Sequence, residues 1–309
     1  MQHPTPHTTS RRAVVRVPSG PRSVETVTVP LTEPGPGQIR VKVAAAAINP
    51  VDLGVAGGVF HRLGLVDQPQ HTGLGWDFAG AVDAAGPGVE LRVGTRVAGF
   101  LDGFDRDHGS HAEHLLVSAA KVAVVPDTLD LFGAAVVPLN ATAAAQLVDL
   151  LGEAPAGAGR LLVTGAAGAV GAYVAVLAQD RGWQVTGTAR AADEPFVRSL
   201  GADFATGVGQ GWDAVADAGA LQEDALRAVR DGGRFVGVQP ASRLPEERGI
   251  TVEALFARPD GPLLARLLER AATGELPARV HAVTPLAEAA DAYEAMAKGG
   301  VRGRIILVP

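Results

Sequence analysis

Val163-Thr164-Gly165-Ala166-Ala167-Gly168-Ala169-Val170-Gly171 is the stretch on which the fold turns. An apolar run at 161–164 precedes it, and an apolar segment of helical length, 170–180, follows and stops near Gly182. Gly168 and Gly171 have the spacing of the last two glycines in a strand–turn–helix fingerprint for dinucleotides, while Ala166 takes the place of the first. The physical demands survive that change. The chain must turn tightly, its backbone must approach a pyrophosphate, and the helix must lie close on the strand. Free N–H groups and the helix dipole then favour an anion. A purely structural turn is the alternative reading, and the surroundings argue against it.

Outward from this turn the pattern repeats. A strand at 184–189 is followed by a helix at 194–200 ended by Gly201, then 214–217, 222–230 and 234–238 read as strand, helix and strand. The stretch 250–256 supplies another strand. Such alternation predicts a parallel sheet covered on both faces. After the second strand come Thr188, Ala189 and Arg190, with no acid before Asp193. An acidic residue there selects a free ribose hydroxyl, whereas Arg190 can pair with a 2′-phosphate, so NADPH is the favoured cofactor. Thr188, Arg190 and Val238 therefore join Gly165, Ala166, Ala167, Gly168, Ala169, Val170 and Gly171 as cofactor-binding candidates.

The stretch 13–126 looks different. Short strands such as 40–44, 80–85 and 95–100 are separated by Pro34-Gly35-Pro36-Gly37, Gly86-Pro87-Gly88 and similar turns, which suggests a β-rich, barrel-like unit. The last thirty or so residues hold a helix at 286–298 and a strand at 304–308. Too short to bury a core alone, they are expected to return to the first unit.

Composition narrows the function classes. With 309 residues the chain suits about two domains. It has no cysteine, which excludes disulfides, thiolate nucleophiles and cysteine-ligated zinc. A formal net charge of −6 argues against a nucleic-acid partner. No apolar run reaches the roughly 20 residues that span a bilayer, and the polar 1–10 segment lacks a signal core, so a cytoplasmic location is expected.

Six segments then fall in a telling order: Ala47-Ile48-Asn49-Pro50-Val51-Asp52, Gly75-Trp76-Asp77-Phe78-Ala79-Gly80, Val93-Gly94-Thr95-Arg96-Val97, Gly109-Ser110-His111-Ala112-Glu113-His114, the glycine turn, and Val301-Arg302-Gly303-Arg304-Ile305. Together they resemble the zinc-independent, quinone oxidoreductase-like branch of the medium-chain dehydrogenase/reductase family. The resemblance implies an α/β fold in which a GroES-like, β-rich catalytic domain (1–130, completed by 273–309) is split around a Rossmann-type doubly wound parallel-sheet domain (131–272). It also implies NADPH-dependent hydride transfer to a quinone or an α,β-unsaturated carbonyl, a small-molecule substrate, and a homodimer. The zinc-dependent branch carries His-Glu where this chain has Trp76-Asp77, so no metal is expected.

For catalysis, Asn49 is the first candidate, its amide donating to the acceptor carbonyl or to a ribose hydroxyl; a structural turn before Pro50 is the competing reading. Asp52 either orients the nicotinamide end or caps a helix. Phe60, Trp76 and Thr142 are candidates for the substrate pocket. Two departures from the family pattern bear on it: 54–60 offers glycine and phenylalanine where the family often has tyrosine, and Ala141-Thr142-Ala143-Ala144 replaces L-T-A. His61, His71 and His111 are possible proton donors, with solvent as the default. A tailoring ketoreductase or enoylreductase of secondary metabolism and a non-catalytic NADPH-binding sensor or structural protein are the alternative readings.

Overall fold

The computed structural model describes residues 8–157, 159–239 and 244–309. Their contacts group them into two compact units. One contains the described residues through Leu139 together with Pro259–Ala272 and Ala278–Pro309; the other contains the described residues of Asn140–Arg258 with Thr273–Pro277.

The first unit opens with strands β1 (Thr9–Val15), β2 (Val24–Pro30) and β3 (Gln38–Ala47), then helices α1 (Pro50–Ala56) and α2 (Val59–Arg62). Strands β4 (Thr72–Gly73), β5 (Asp77–Ala85), β6 (Arg96–Phe100), β7 (His114–Ser118) and β8 (Val122–Val124) follow, then helix α3 (Leu131–Ala135). Strand β3 is the centre of the larger sheet, pairing antiparallel with both β5 and β7, and it is buried along most of its length. Two apolar clusters fill the unit. Ile39, Val41, Phe78, Val97 and Leu115 form one, and Ile48, Val55, Leu74, Tyr293, Ile305 and Leu307 the other. Helix α4 (Pro138–Leu151) begins at the boundary with the second unit.

The second unit is a six-stranded parallel sheet among the described residues. Its strands are β9 (Arg160–Thr164), β10 (Gln184–Thr188), β11 (Asp203–Ala205), β12 (Trp212–Asp217), β13 (Val229–Gly237) and β14 (Thr251–Ala254). Helices α5 (Ala169–Gln179), α6 (Glu194–Ser199) and α7 (Glu223–Ala228) lie between them in the sequence. The spatial order β11-β10-β9-β12-β13-β14 is that of a doubly wound nucleotide-binding sheet, whose ligand crevice lies where the order reverses, between β9 and β12. The expected helix at 222–230 ends early, because Val229 already pairs with Trp212 as the first residue of β13.

Helix α8 (Gly261–Ala272), strand β15 (Val280–Pro285), helix α9 (Ala289–Ala297) and strand β16 (Arg304–Val308) close the chain. Strand β16 pairs with β3 through Ile306 and Ala47, and Tyr293 of α9 is fully buried in the second cluster of the first unit. The tail thus completes the first unit, as its length requires. Helix α8 differs from the sequence reading, which put 131–272 with the nucleotide-binding half. It packs in the first unit because Gly261 leaves room for the Ala120 and Val122 carbonyls, which a Cβ there would meet at 2.8 Å.

Candidate active site

In the second unit, β9 ends at Thr164 and the chain turns through Gly165 at φ +61°. The Gly168 N–H donates to the Gly165 carbonyl at 2.8 Å, and Gly168 then caps α5 in an extended conformation. Gly171 is required by contact: a Cβ on it would stand 2.3 Å from the Gly165 oxygen. Ala166, in place of the usual first glycine, is fully buried. Its methyl group occupies space that Gly187 on β10 vacates, since a Cβ on Gly187 would come within 2.5 Å of it. The glycine missing from the turn has its counterpart across the sheet, a compensation the fingerprint alone does not display. Gly168 is exposed, and Ala167, Ala169 and Val170 are half-buried, so the start of α5 faces solvent.

Across the switch point, the buried Asp217 at the end of β12 fixes the neighbouring loop. Thr164 Oγ1 donates to it at 2.6 Å and itself accepts from the Gly219 N–H at 2.9 Å. The N–H groups of Leu221 and Gln222 complete the carboxylate's shell at 3.0 and 2.7 Å. Two non-glycine residues, Ala220 and Gln222, are held at positive φ here, a conformation that persists only where surrounding bonds impose it. Thr188 is buried at the end of β10, Val238 is half-buried just beyond β13, and Arg190 is exposed. No carboxylate among the described residues pairs with the Arg190 guanidinium.

In the first unit Asn49 is bound into the fold. Its side chain is 1% exposed and fully engaged. Nδ2 donates to Asp77 Oδ2 at 2.8 Å, and Oδ1 accepts from Arg304 Nε at 2.8 Å. Asn49 also caps α1 in a reciprocal box, its backbone N–H donating to Asp52 Oδ2 at 2.8 Å. Nδ2 also lies 3.5 Å from the Ala47 carbonyl, so the buried Asn49 side chain ties Asp77 at the start of β5 to Arg304 of the chain's last strand. Asp52 is likewise buried, its second oxygen accepting from the Gly75 N–H at 3.0 Å; it stands at the third helical position of the capping box, the cap itself being Asn49. Desolvation pushes its carboxyl above the usual range, opposed by the nearby His111 and by these backbone donors.

His111 is no proton donor either. Burial holds its imidazole below the ordinary pKa; Nε2 donates to the Ala47 carbonyl at 3.1 Å and Nδ1 accepts the Tyr293 hydroxyl at 3.0 Å. His61 Nε2 lies 3.1 Å from Thr72 Oγ1.

Asp77, quoted in the sequence only as part of a motif, is the hub of this cluster. Its other oxygen accepts from Leu139 N in the first turn of α4 at 2.6 Å. Desolvation raises its carboxyl to about 7, against the Leu139 N–H, the Asn49 amide and Arg304, while Asp52 reinforces the rise. The unfolded chain releases this proton near the ordinary value of 3.8, the folded chain near 7. Between those values the native state holds the extra proton, so this group's contribution to stability declines as pH rises through the window and is level above it. Asp77→Asn is expected to remove that slope: melting temperatures of wild type and variant, compared from pH 5 to 8, converge or cross as pH rises. Parallel curves would contradict it.

Phe60 and Trp76 meet through a residue the sequence did not single out. The Phe60 ring stacks on Phe104 at 4.0 Å, and Phe104 meets Trp76 edge-on at 5.5 Å. Arg106 covers the indole at 5.0 Å and donates to the Gly103 and Gly75 carbonyls. Trp183 and Trp212 donate their indole N–H groups to Gly152 and Val208 carbonyls, whereas the buried Trp76 Nε1 has no partner among the described residues. The same holds for the hydroxyl of Thr142, which is fully buried on α4 in the second unit. Among the described residues no group of three or more His, Cys, Asp or Glu side chains is arranged to hold a metal ion. Nor, among them, is any helix long and apolar enough to cross a membrane.

Comparison with known proteins agrees with this architecture. Residues 35–127 match the alcohol dehydrogenase GroES-like domain, and residues 190–307 the zinc-binding dehydrogenase family. The NADPH-dependent alkenal/one oxidoreductase of Arabidopsis thaliana is 30% identical over 88% of this chain and 72% of its own length. The chain belongs to the medium-chain dehydrogenase/reductase family. A mycocerosic acid synthase-like polyketide synthase of Mycobacterium tuberculosis is 32% identical over 96% of this chain, yet the chain spans only 15% of that protein. The quinone oxidoreductase structure from Coxiella burnetii superposes with a TM-score of 0.83, covering 97% of this chain and 99% of that one at 23% identity, which establishes the fold. Relatives that the chain matches over most of their own length carry oxidoreductase or reductase names.

Proposed function

We propose that the protein is an NADPH-dependent, zinc-independent reductase that delivers hydride to a quinone or an α,β-unsaturated carbonyl. The observation that carries the cofactor reading is the glycine turn at the β9–β12 switch point, with Gly168 exposed at the start of α5 and, beyond β10, an exposed Arg190 that no carboxylate of the described residues pairs. Gly165, Gly168 and Gly171 let the backbone approach a pyrophosphate; Ala166, Ala167, Ala169 and Val170 complete the turn. Arg190 holds the 2′-phosphate, beside Thr188, and Val238 flanks the cofactor. A bound reduced nicotinamide supplies the hydride. The chain's own part is to orient and to exclude water: Phe60 and Trp76 present an aromatic wall, and the buried hydroxyl of Thr142 is a donor in want of an acceptor. Without a titrating donor at hand, the proton comes from solvent. Trp76 in place of histidine, in a chain with no cysteine, supports the zinc-free reading.

Arg190→Ala is expected to weaken NADPH binding about 10- to 100-fold, the worth of roughly 1.5–3 kcal/mol for hydrogen bonds to a charged group, while NADH binding stays within about twofold. Fluorescence titration of both cofactors checks this. Equal losses for both would remove Arg190 as the discriminator.

A second reading, an enoylreductase of secondary metabolism, is favoured by the polyketide synthase match along nearly the whole chain. Comparing turnover of an enoyl thioester with that of 1,4-naphthoquinone separates the two, since the better substrate by kcat/KM identifies the acceptor class.

A further inference from the structure

The first unit contains a cavity of about 260 Å³ whose lining includes Ser10, Arg12, Gln38 and Arg40. All its lining residues belong to the first unit, whereas the nucleotide turn belongs to the second. Arg12 is half-buried, yet among the described residues its guanidinium makes one long contact, 3.5 Å to the Asp107 carbonyl, and no carboxylate of theirs comes within ion-pair distance. Other arginines of the unit are far better supplied. Arg40 binds Glu33, Asp83 and the Thr32 carbonyl, and Arg304 binds Asn49 and the Gly303 carbonyl. Desolvation accordingly holds Arg12 below the ordinary arginine value, with Asp107 working against it.

Two further side chains in the lining are donors whose oxygens are already occupied. Ser10, 4% exposed, accepts the His114 N–H at 3.2 Å through Oγ, which leaves its hydroxyl hydrogen to give. Gln38 Oε1 accepts the Gly35 N–H at 3.0 Å, which orients the amide and leaves Nε2 as a donor. Ser10 is buried and Arg12 and Gln38 are half-buried, so an anion in the cavity would meet all three donors. Asp107 is the one acid in the lining, and it is held by His108 at 2.7 Å. Arg40 is already paired with Glu33 and Asp83, which leaves the Arg12 guanidinium as the cation of the lining without a carboxylate partner among the described residues.

We propose that this cavity is an oxyanion site that takes a small carboxylate or phosphate on the Arg12 guanidinium, with Ser10 Oγ and Gln38 Nε2 as further donors. A planar guanidinium fork suits either anion. Titrating the ¹⁵N-labelled protein, without cofactor, with inorganic phosphate and separately with acetate at constant ionic strength tests it. The amide signals of Ser10, Arg12, Gln38 and His114 are expected to shift saturably with at least one of the two anions. Which anion saturates them names the source. Arg12→Gln is expected to weaken that binding at least tenfold, while shifts around 165–171 caused by phosphate persist. Gln38→Glu, which keeps the acceptor for Gly35 and adds a negative charge, should abolish it and serves if Arg12→Gln fails to fold. Shifts no larger than those given by matched sodium chloride, or equal titration of wild type and a folded variant, would overturn the proposal. Because the site is read without reference to the reductase activity, its failure leaves that activity untouched.

Discussion

Asn49→Ala is expected to lower the melting temperature sharply, and to do so with or without cofactor. The substitution strips Arg304 Nε and Asp77 Oδ2 of their shared partner in a buried cluster, and it removes the capping box of α1. Breaking a buried polar-ionic network by deleting one member costs about 3–5 kcal/mol, and losing a cap adds about 1 kcal/mol. Against a total stability of roughly 5–15 kcal/mol, that is a large fraction. Thermal and urea unfolding check it. A variant that melts within about 2 °C of wild type but turns over slowly would restore Asn49 as a donor to substrate.

The second large effect belongs to Gly171→Ala. Even one methyl group must displace the Gly165 carbonyl, which it would meet at 2.3 Å, and Gly165 cannot yield easily because its own φ of +61° suits few residues. Overpacking of this kind costs about 1–3 kcal/mol. The strain falls on the turn itself, so NADPH affinity should drop more than tenfold in a fluorescence titration. Ala169→Gly, at the start of α5 where no such contact exists, is the control and should stay within about threefold. Similar losses for both would mean that close approach at Gly171 does not set the cradle.

The contrast between these two positions shows what the sequence discloses. The cradle was legible because strand, turn and helix are contiguous, and because glycine spacing reports backbone approach directly. Arg190 was legible for the same reason: it follows its strand by two residues. The compensation of Ala166 by Gly187 was present in the sequence but carried no signal until β10 was laid beside β9. The Asn49 cluster lies at the other extreme. Asn49 meets Asp77 across 28 positions and Arg304 across 255, and nothing local distinguishes an amide bound on both sides from one offered to a ligand. Phe104 and Arg106 sit in an irregular stretch with no periodicity to mark them, so their place against Trp76 emerged only from packing. Helix α8 fell inside the stretch 131–272 assigned to the nucleotide-binding half, and the close approach of Gly261 to the Ala120 and Val122 carbonyls, which no sequence pattern encodes, lies in the first unit.

The central claim is that this fold passes hydride from NADPH to an electron-poor acceptor. The most direct test mixes the purified protein with NADPH and a panel of quinones and α,β-unsaturated carbonyls, following absorbance of the reduced cofactor. The account predicts acceptor-dependent oxidation, faster with NADPH than with NADH, and undiminished by a metal chelator. Tight NADPH binding with no oxidation by any acceptor would contradict it and leave a dinucleotide-binding protein without this chemistry.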